Sequence, residues 1–110
     1  MNRLLIVGKV LPGADGELAE IFAEADGTEL PVITGVRHRS LYRLGDLYLH
    51  LMETDADPTM TAREQEHPAF RRVFQRLSGC TEPYLPTARS PRDAMAACIY
   101  HWDMPGVVRR

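Results

Sequence analysis

Arg39 and His50 are the side chains that could do chemistry together in this sequence. An arginine is always charged and carries a donor fork that can hold an oxygen anion. A histidine with a near-neutral pKa can both take and give a proton. Residues 36–43, VRHRSLYR, and 47–54, LYLHLMET, read as two strands around Leu44-Gly45-Asp46, a hairpin signal. With an even-numbered loop, Arg43 falls opposite Tyr48, Leu41 opposite His50 and Arg39 opposite Met52. Alternation then gathers Arg37, Arg39, Leu41, Tyr48, His50 and Met52 on one face. Arg39 and His50 become diagonal neighbours, within reach of one ligand. The other face holds Val36, His38, Ser40, Tyr42, Leu47, Leu49 and Leu51. This second set is the more aliphatic, so it is expected to meet the helices and to leave the Arg and His set on the face without them. The same pattern also suits solvated or dimer-rim arginines and a hydrogen-bonded structural histidine.

Other polar candidates are weaker. Asp26, near the end of a helix, could be a base over a pocket or an ordinary helix-end acid. His67 before Pro68 serves the local geometry of a helix start or kink. His101, between Tyr100 and Trp102, reads as a hydrogen-bonded structural residue. His38, His50 and His101 lack metal-ligand spacing, and parity separates His38 from His50. No metal is expected. The sequence has no Gly-rich phosphate loop, no GxSxG and no CxxC.

The elements that must position these residues follow from periodicity. Residues 3–10 form a first strand, stopped by Leu11-Pro12-Gly13. Asp15 is a plausible N-cap, and Leu18, Ile21, Phe22 and Ala25 make one helical stripe closed by Gly27. Glu29-Leu30-Pro31 reads as a linker before the hairpin. Asp57-Pro58-Thr59 opens a second helical stretch, polar through residues 61–66 and interrupted at His67-Pro68. Phe70, Val73, Phe74 and Leu77 repeat the stripe, closed by Gly79. Residues 82–89 connect onward, Ser90-Pro91-Arg92-Asp93 predicts one helical turn, and residues 97–102 read as a last strand. The tail, 105–110, is expected to fray.

The order β-α-β-β-α-β in 110 residues is one α+β domain of ferredoxin-like arrangement, an antiparallel sheet with both helices on one face. The other sheet face needs a cover, and a second copy packed sheet to sheet is the simplest one. A cavity against the sheet would suit a mostly apolar ligand. A formal charge of −2 offers no footprint for a nucleic-acid backbone. The longest apolar run, residues 4–7, is far too short for a membrane span or a signal peptide, so the expected location is the cytoplasm. Cys80 and Cys98 are too few for a disulfide scaffold.

Residues 22–51, FAEADGTELPVITGVRHRSLYRLGDLYLHL, resemble the small aromatic polyketide cyclases of the tetracenomycin F2 cyclase type. The shared features are a helix ending in Asp, a T/S-E-L/M-P step, a G-x-R-x-R strand and a DLY-x-HL strand. HPAFRRVFQRL resembles the family's HP-x-F helix, and RSPRDAMAACIYHW resembles the ending of the spore-pigment cyclases. The resemblance runs from about Leu4 to Asp103. It implies a dimeric α/β barrel that works without metal or organic cofactor in antibiotic or pigment biosynthesis. The substrate it implies is a poly-β-ketone intermediate of a type II polyketide synthase, whose components are possible partners. The reaction it implies is regiospecific aldol closure with loss of water, a lyase-type step.

On the same resemblance, the family's implicated Arg, His and helix-end Asp match Arg39, His50 and Asp26. Some members carry a His just before that Asp. Ala25 stands there in this chain, which leaves His50 as the proton shuttle. Aldol closure needs a proton taken from a CH₂ between two carbonyls, an enolate held and an acceptor carbonyl protonated, which suits a His and an Arg. Folding the polyketide into the right shape is itself catalysis. Arg37, Tyr48, Met52 and Trp102 are the candidates for substrate contact. The rivals are a cofactor-independent monooxygenase on the same fold, a non-catalytic polyketide-binding protein and a purely structural dimer.

Overall fold

The aliphatic run at residues 4–7 draws the N-terminal segment into strand β1 (Asn2–Val10), which pairs with a strand on either side. The computed structural model describes residues 2–55, 67–89 and 91–106. After β1 come helix α1 (Asp15–Asp26), a short helix α2 (Leu30–Thr34), β2 (Val36–Leu44), β3 (Leu47–Thr54), helix α3 (Pro68–Ser78), β4 (Thr81–Pro83) and a 3-10 turn at Pro91–Ala94. The sheet is antiparallel with strand order β2-β3-β1-β4, the ferredoxin-like α+β arrangement expected from the element order. The readings at 57–66, the cap at Ser90 and the tail beyond residue 106 fall outside the described residues.

The hairpin has the two-residue loop Gly45-Asp46, with Gly45 at φ +62° as a tight turn requires. Its register pairs Arg43 with Tyr48, Leu41 with His50 and Arg39 with Met52, as alternation predicts. On the other side of β3, β1 sets Gly8 against Tyr48, Ile6 against His50 and Leu4 against Met52. One register shift, between Val36 and His38, leaves Arg37 without a partner position in the ladder.

The expected faces are exchanged. The core joins Val10 to Leu18, Ile21, Phe22 and Cys80, and Leu41, Tyr48, Val73 and Leu77 pack against it. The helices therefore cover the face that carries Arg39, Leu41, Tyr48, His50 and Met52. Leu5, Val7, Leu49 and Leu51 lie on the opposite face, half-buried, with Tyr42 exposed beside them. Alternation sorts side chains into two sets but does not say which set lies inside. That choice belongs to the crossover from β1 through α1 to β2, which has a preferred hand.

Two other expectations change. The segment read as a linker holds α2, which has Pro31 in its first turn. Thr28 Oγ1 accepts from Leu30 N at 3.2 Å and donates to Ala25 O at 2.6 Å, fastening α2 to the end of α1. The expected last strand at 97–102 is not formed. The fourth place in the sheet goes to Thr81–Pro83, beside which Met95 makes an isolated bridge to Ile6. Ala96 N donates to Leu5 O at 2.7 Å, and beyond it the segment leaves the sheet. A strand exists only where a neighbouring edge takes its hydrogen bonds.

Candidate active site

Helix α1 ends its buried stripe one residue before Asp26, so that carboxylate emerges at the rim of the helix layer. Strands β2 and β3 bring Arg39 and His50 under it from the sheet. Arg39 Nε donates to both Asp26 oxygens at 3.1 Å, and its NH2 group lies 3.0 Å from Oδ1. Arg39 NH1 stands 2.8 Å from His50 Nε2 and 3.5 Å from Met52 Sδ. A guanidinium cannot accept, so His50 Nε2 does, and the imidazole is neutral with its proton on Nδ1. The three groups run from solvent to core: the Asp26 side chain is 40% exposed, that of Arg39 14%, and His50 as a residue 5%.

Phe22, one helical turn before Asp26, closes the site from above. Its ring centroid lies 4.7 Å from that of His50, and the Arg39 guanidinium sits 4.8 Å from it in a cation–π contact. Sequence reading placed Phe22 in the core stripe and missed this role. The available signal was its spacing, since residues 22 and 26 share a helix face.

Burial first, and the Arg39 charge second, push the His50 pKa down to about 3. A buried imidazole beside a guanidinium resists a second positive charge. The near-neutral titration expected from sequence is therefore absent while Arg39 occupies Nε2. Burial, and then Cys80, also raise the Tyr48 phenol above its usual range.

Asp26, Arg39, His50 and Met52 are thus brought together. Tyr48 lies two residues from His50 on the same face, half-buried against the core cluster. Arg37 does not join them. As the odd residue of the register shift it turns to Asp55, with 3.0 Å between NH1 and Oδ2. Trp102 also stands apart, 61% exposed on the segment beyond Ala96. His38 is exposed, His101 pairs with Asp103 at 2.9 Å, and His67 caps α3, accepting from Ala69 N while its Nε2 lies 3.3 Å from Glu29.

Running from the rim of the helix layer to the buried His50, this constellation can hold an oxygen anion and move a proton. A profile of the polyketide synthesis cyclase family matches residues 2–103. An uncharacterized protein of Streptomyces coelicolor is 48% identical over 106 residues, covering 94% of this chain and 96% of its own. The polyketide synthase protein CurG of Streptomyces cyaneus is 40% identical over 105 residues, covering 94% and 98%. The solved structure of tetracenomycin F2 cyclase from Streptomyces glaucescens, described as a type-II polyketide cyclase, superposes with a TM-score of 0.86 at 37% identity. That match covers 96% of this chain and all of the other.

Proposed function

The chain belongs to the polyketide synthesis cyclase family, and we propose that it directs regiospecific aldol cyclisation and dehydration of a poly-β-ketone made by a type II polyketide synthase. The observation that carries this reading is the single guanidinium of Arg39 joined at once to Asp26 and to His50 Nε2 beneath Phe22. The Asp26 carboxylate anchors Arg39 through Nε and NH2, which leaves NH1 to exchange partners. When a substrate carbonyl reaches NH1, it takes the place of His50. The freed Nε2 lone pair then removes a proton from the CH₂ between two carbonyls, and Arg39 holds the enolate oxygen. Neutralising the guanidinium by the enolate also removes one of the two causes that depress the His50 pKa.

The enolate carbon bonds to the acceptor carbonyl carbon, and the imidazolium returns its proton to the acceptor oxygen. Loss of that hydroxyl with a neighbouring proton releases one water. Every step is redox-neutral and needs acid–base chemistry alone, so the reaction calls for no cofactor. Tyr48 and Met52 flank His50 along β3 and bound the folded polyketide. The protein works as a cytoplasmic homodimer, its second copy covering the aliphatic sheet face, and receives its substrate from synthase components.

The test is reconstitution with a minimal polyketide synthase and an early cyclase, alongside His50→Gln and Arg39→Gln. The expected product is lighter by one water, with conversion reduced by at least about tenfold in each variant. A product heavier by one oxygen and lighter by two hydrogens would make the protein an oxygenase. Retention of an unchanged intermediate would make it a binding protein.

A further inference from the structure

Two partners that part during a reaction must each be held in place by something else. Arg39 NH1 and His50 Nε2, 2.8 Å apart, are such a pair when a substrate oxygen takes NH1. Asp26 holds the guanidinium by Nε and NH2, but its own side chain stands at the rim, where water weakens an ion pair. The Phe22 ring is different. It lies 4.8 Å from the guanidinium carbon of Arg39, and its centroid is 4.7 Å from that of His50, tilted by 56°. One ring thus touches both partners of the exchange. Its own place depends on neither, because Phe22 is buried in the cluster of Val10, Leu18, Ile21 and Cys80, one turn before Asp26 on α1. A cation over an aromatic face gains more away from water than at the surface, and a tilted ring against an imidazole is a favourable aromatic pair.

We infer that Phe22 is a positioning residue for the cyclisation: its ring holds the Arg39 guanidinium and the His50 imidazole in place while the bond between them is exchanged for substrate. The inference rests on the polyketide cyclase reading of the site. Neither ring contact is a hydrogen bond, so neither has to break when a carbonyl reaches NH1. The guanidinium stays where it can hold the enolate, and Nε2 stays aimed at the place NH1 has left, where the CH₂ proton arrives. The ring also keeps water off the imidazole, and burial is the larger cause of its lowered pKa. The ionisable groups around His50 are Arg39 on β2, Asp26 on α1 behind Arg39, and Tyr48 on β3 with Cys80 beyond it, while β1 brings the apolar Ile6. Of these, Arg39 is the one that acts on the His50 charge. Replacing Phe22 leaves all of these charges in place and changes only the cover and the contact.

The experiment compares wild type with Phe22→Leu and Phe22→Tyr in the reconstituted system, once circular dichroism has shown each to be folded. Leucine keeps the position apolar but has no aromatic face and covers less of the imidazole, whereas tyrosine keeps the ring. Phe22→Leu is expected to lower kcat about tenfold with little change in KM. Phe22→Tyr is expected to keep most of the wild-type kcat. The pH dependence of kcat/KM is the readout that a purely structural role would not move. In the wild type His50 titrates at about 3, so it gives no acid limb between about pH 5 and 7. Phe22→Leu is expected to acquire one, with activity falling as pH drops, because a wetter imidazole titrates closer to its ordinary value and a protonated base cannot take a proton. Should Phe22→Leu not fold, Phe22→Met makes the same comparison with a side chain that adapts to the space. A kcat and pH profile equal to wild type would overturn the inference and leave the cyclase reading intact. A loss of kcat that Phe22→Tyr shares, with the pH profile unmoved, would overturn it too, since that is a packing defect. A wild type without cyclase activity would overturn both.

Discussion

At the scale of single residues, His50 is the group whose surroundings most alter its chemistry. The unfolded chain protonates this imidazole near 6.5, whereas the folded site holds its pKa at about 3. Above pH 6.5 both states are neutral and the group contributes nothing to pH dependence. As pH falls from 6.5 toward 3 the unfolded state binds the extra proton, so stability drops by about 1.4 kcal/mol per pH unit from this group. Between pH 7 and pH 5 the wild type should therefore lose about 2 kcal/mol more than His50→Gln in urea unfolding. Equal losses would mean that His50 is not held neutral. The pair Arg39 and His50 was legible from residue type and hairpin parity, and Asp26 from the family resemblance. Phe22 was not, because one apolar side chain on a helical stripe looks the same whether it faces aliphatic core or an imidazole and a guanidinium.

At the scale of elements, α1 carries the site's upper half. Its stripe of Leu18, Ile21, Phe22 and Ala25 is buried as the 3.6-residue period requires. Ile21 is fully buried, so Ile21→Ala is expected to cost about 2–5 kcal/mol, measured as a lowered Tm or urea midpoint. Because Asp26 lies further along the same helix, its hold on Arg39 should loosen with it. Helix α3 is amphipathic but shallower. Val73 and Leu77 reach the core, whereas Phe74 remains exposed and stacks on Phe70 with 6.1 Å between centroids. Arg76 of α3 pairs with Glu24 of α1, joining the two helices at the surface. Long periodic segments were readable from sequence because each stripe contains its own signal. The short elements α2 and β4 were not, since five or three residues hold too little periodicity and depend on what lies beside them.

At the scale of the whole molecule, apolar side chains gather on two surfaces. One is the sheet face bearing Leu5, Val7, Leu49 and Leu51, with Tyr42 exposed beside them. The other is the extended segment on which Ile99, Tyr100, Trp102 and Met104 stand exposed. Apolar area of this kind is what the proposed homodimer would cover. With a homodimer built on that face, Leu49→Glu should convert the dimer to monomer in analytical ultracentrifugation while circular dichroism stays unchanged. A dimer that survives the substitution would place the interface elsewhere. Local pattern was enough for the α+β class, the β-α-β-β-α core of the element order, the hairpin register and the adjacency of Arg39 and His50, because period, turn chemistry and alternation act between near neighbours. Packing between elements put this pair beneath α1 rather than on the open face. It also decided that His50 is held neutral, that Arg37 turns away to Asp55 and that the fourth strand is Thr81–Pro83. Those outcomes depend on which face a crossover covers, which edge is free and how much water a fold removes, and none of them is a property of a segment alone.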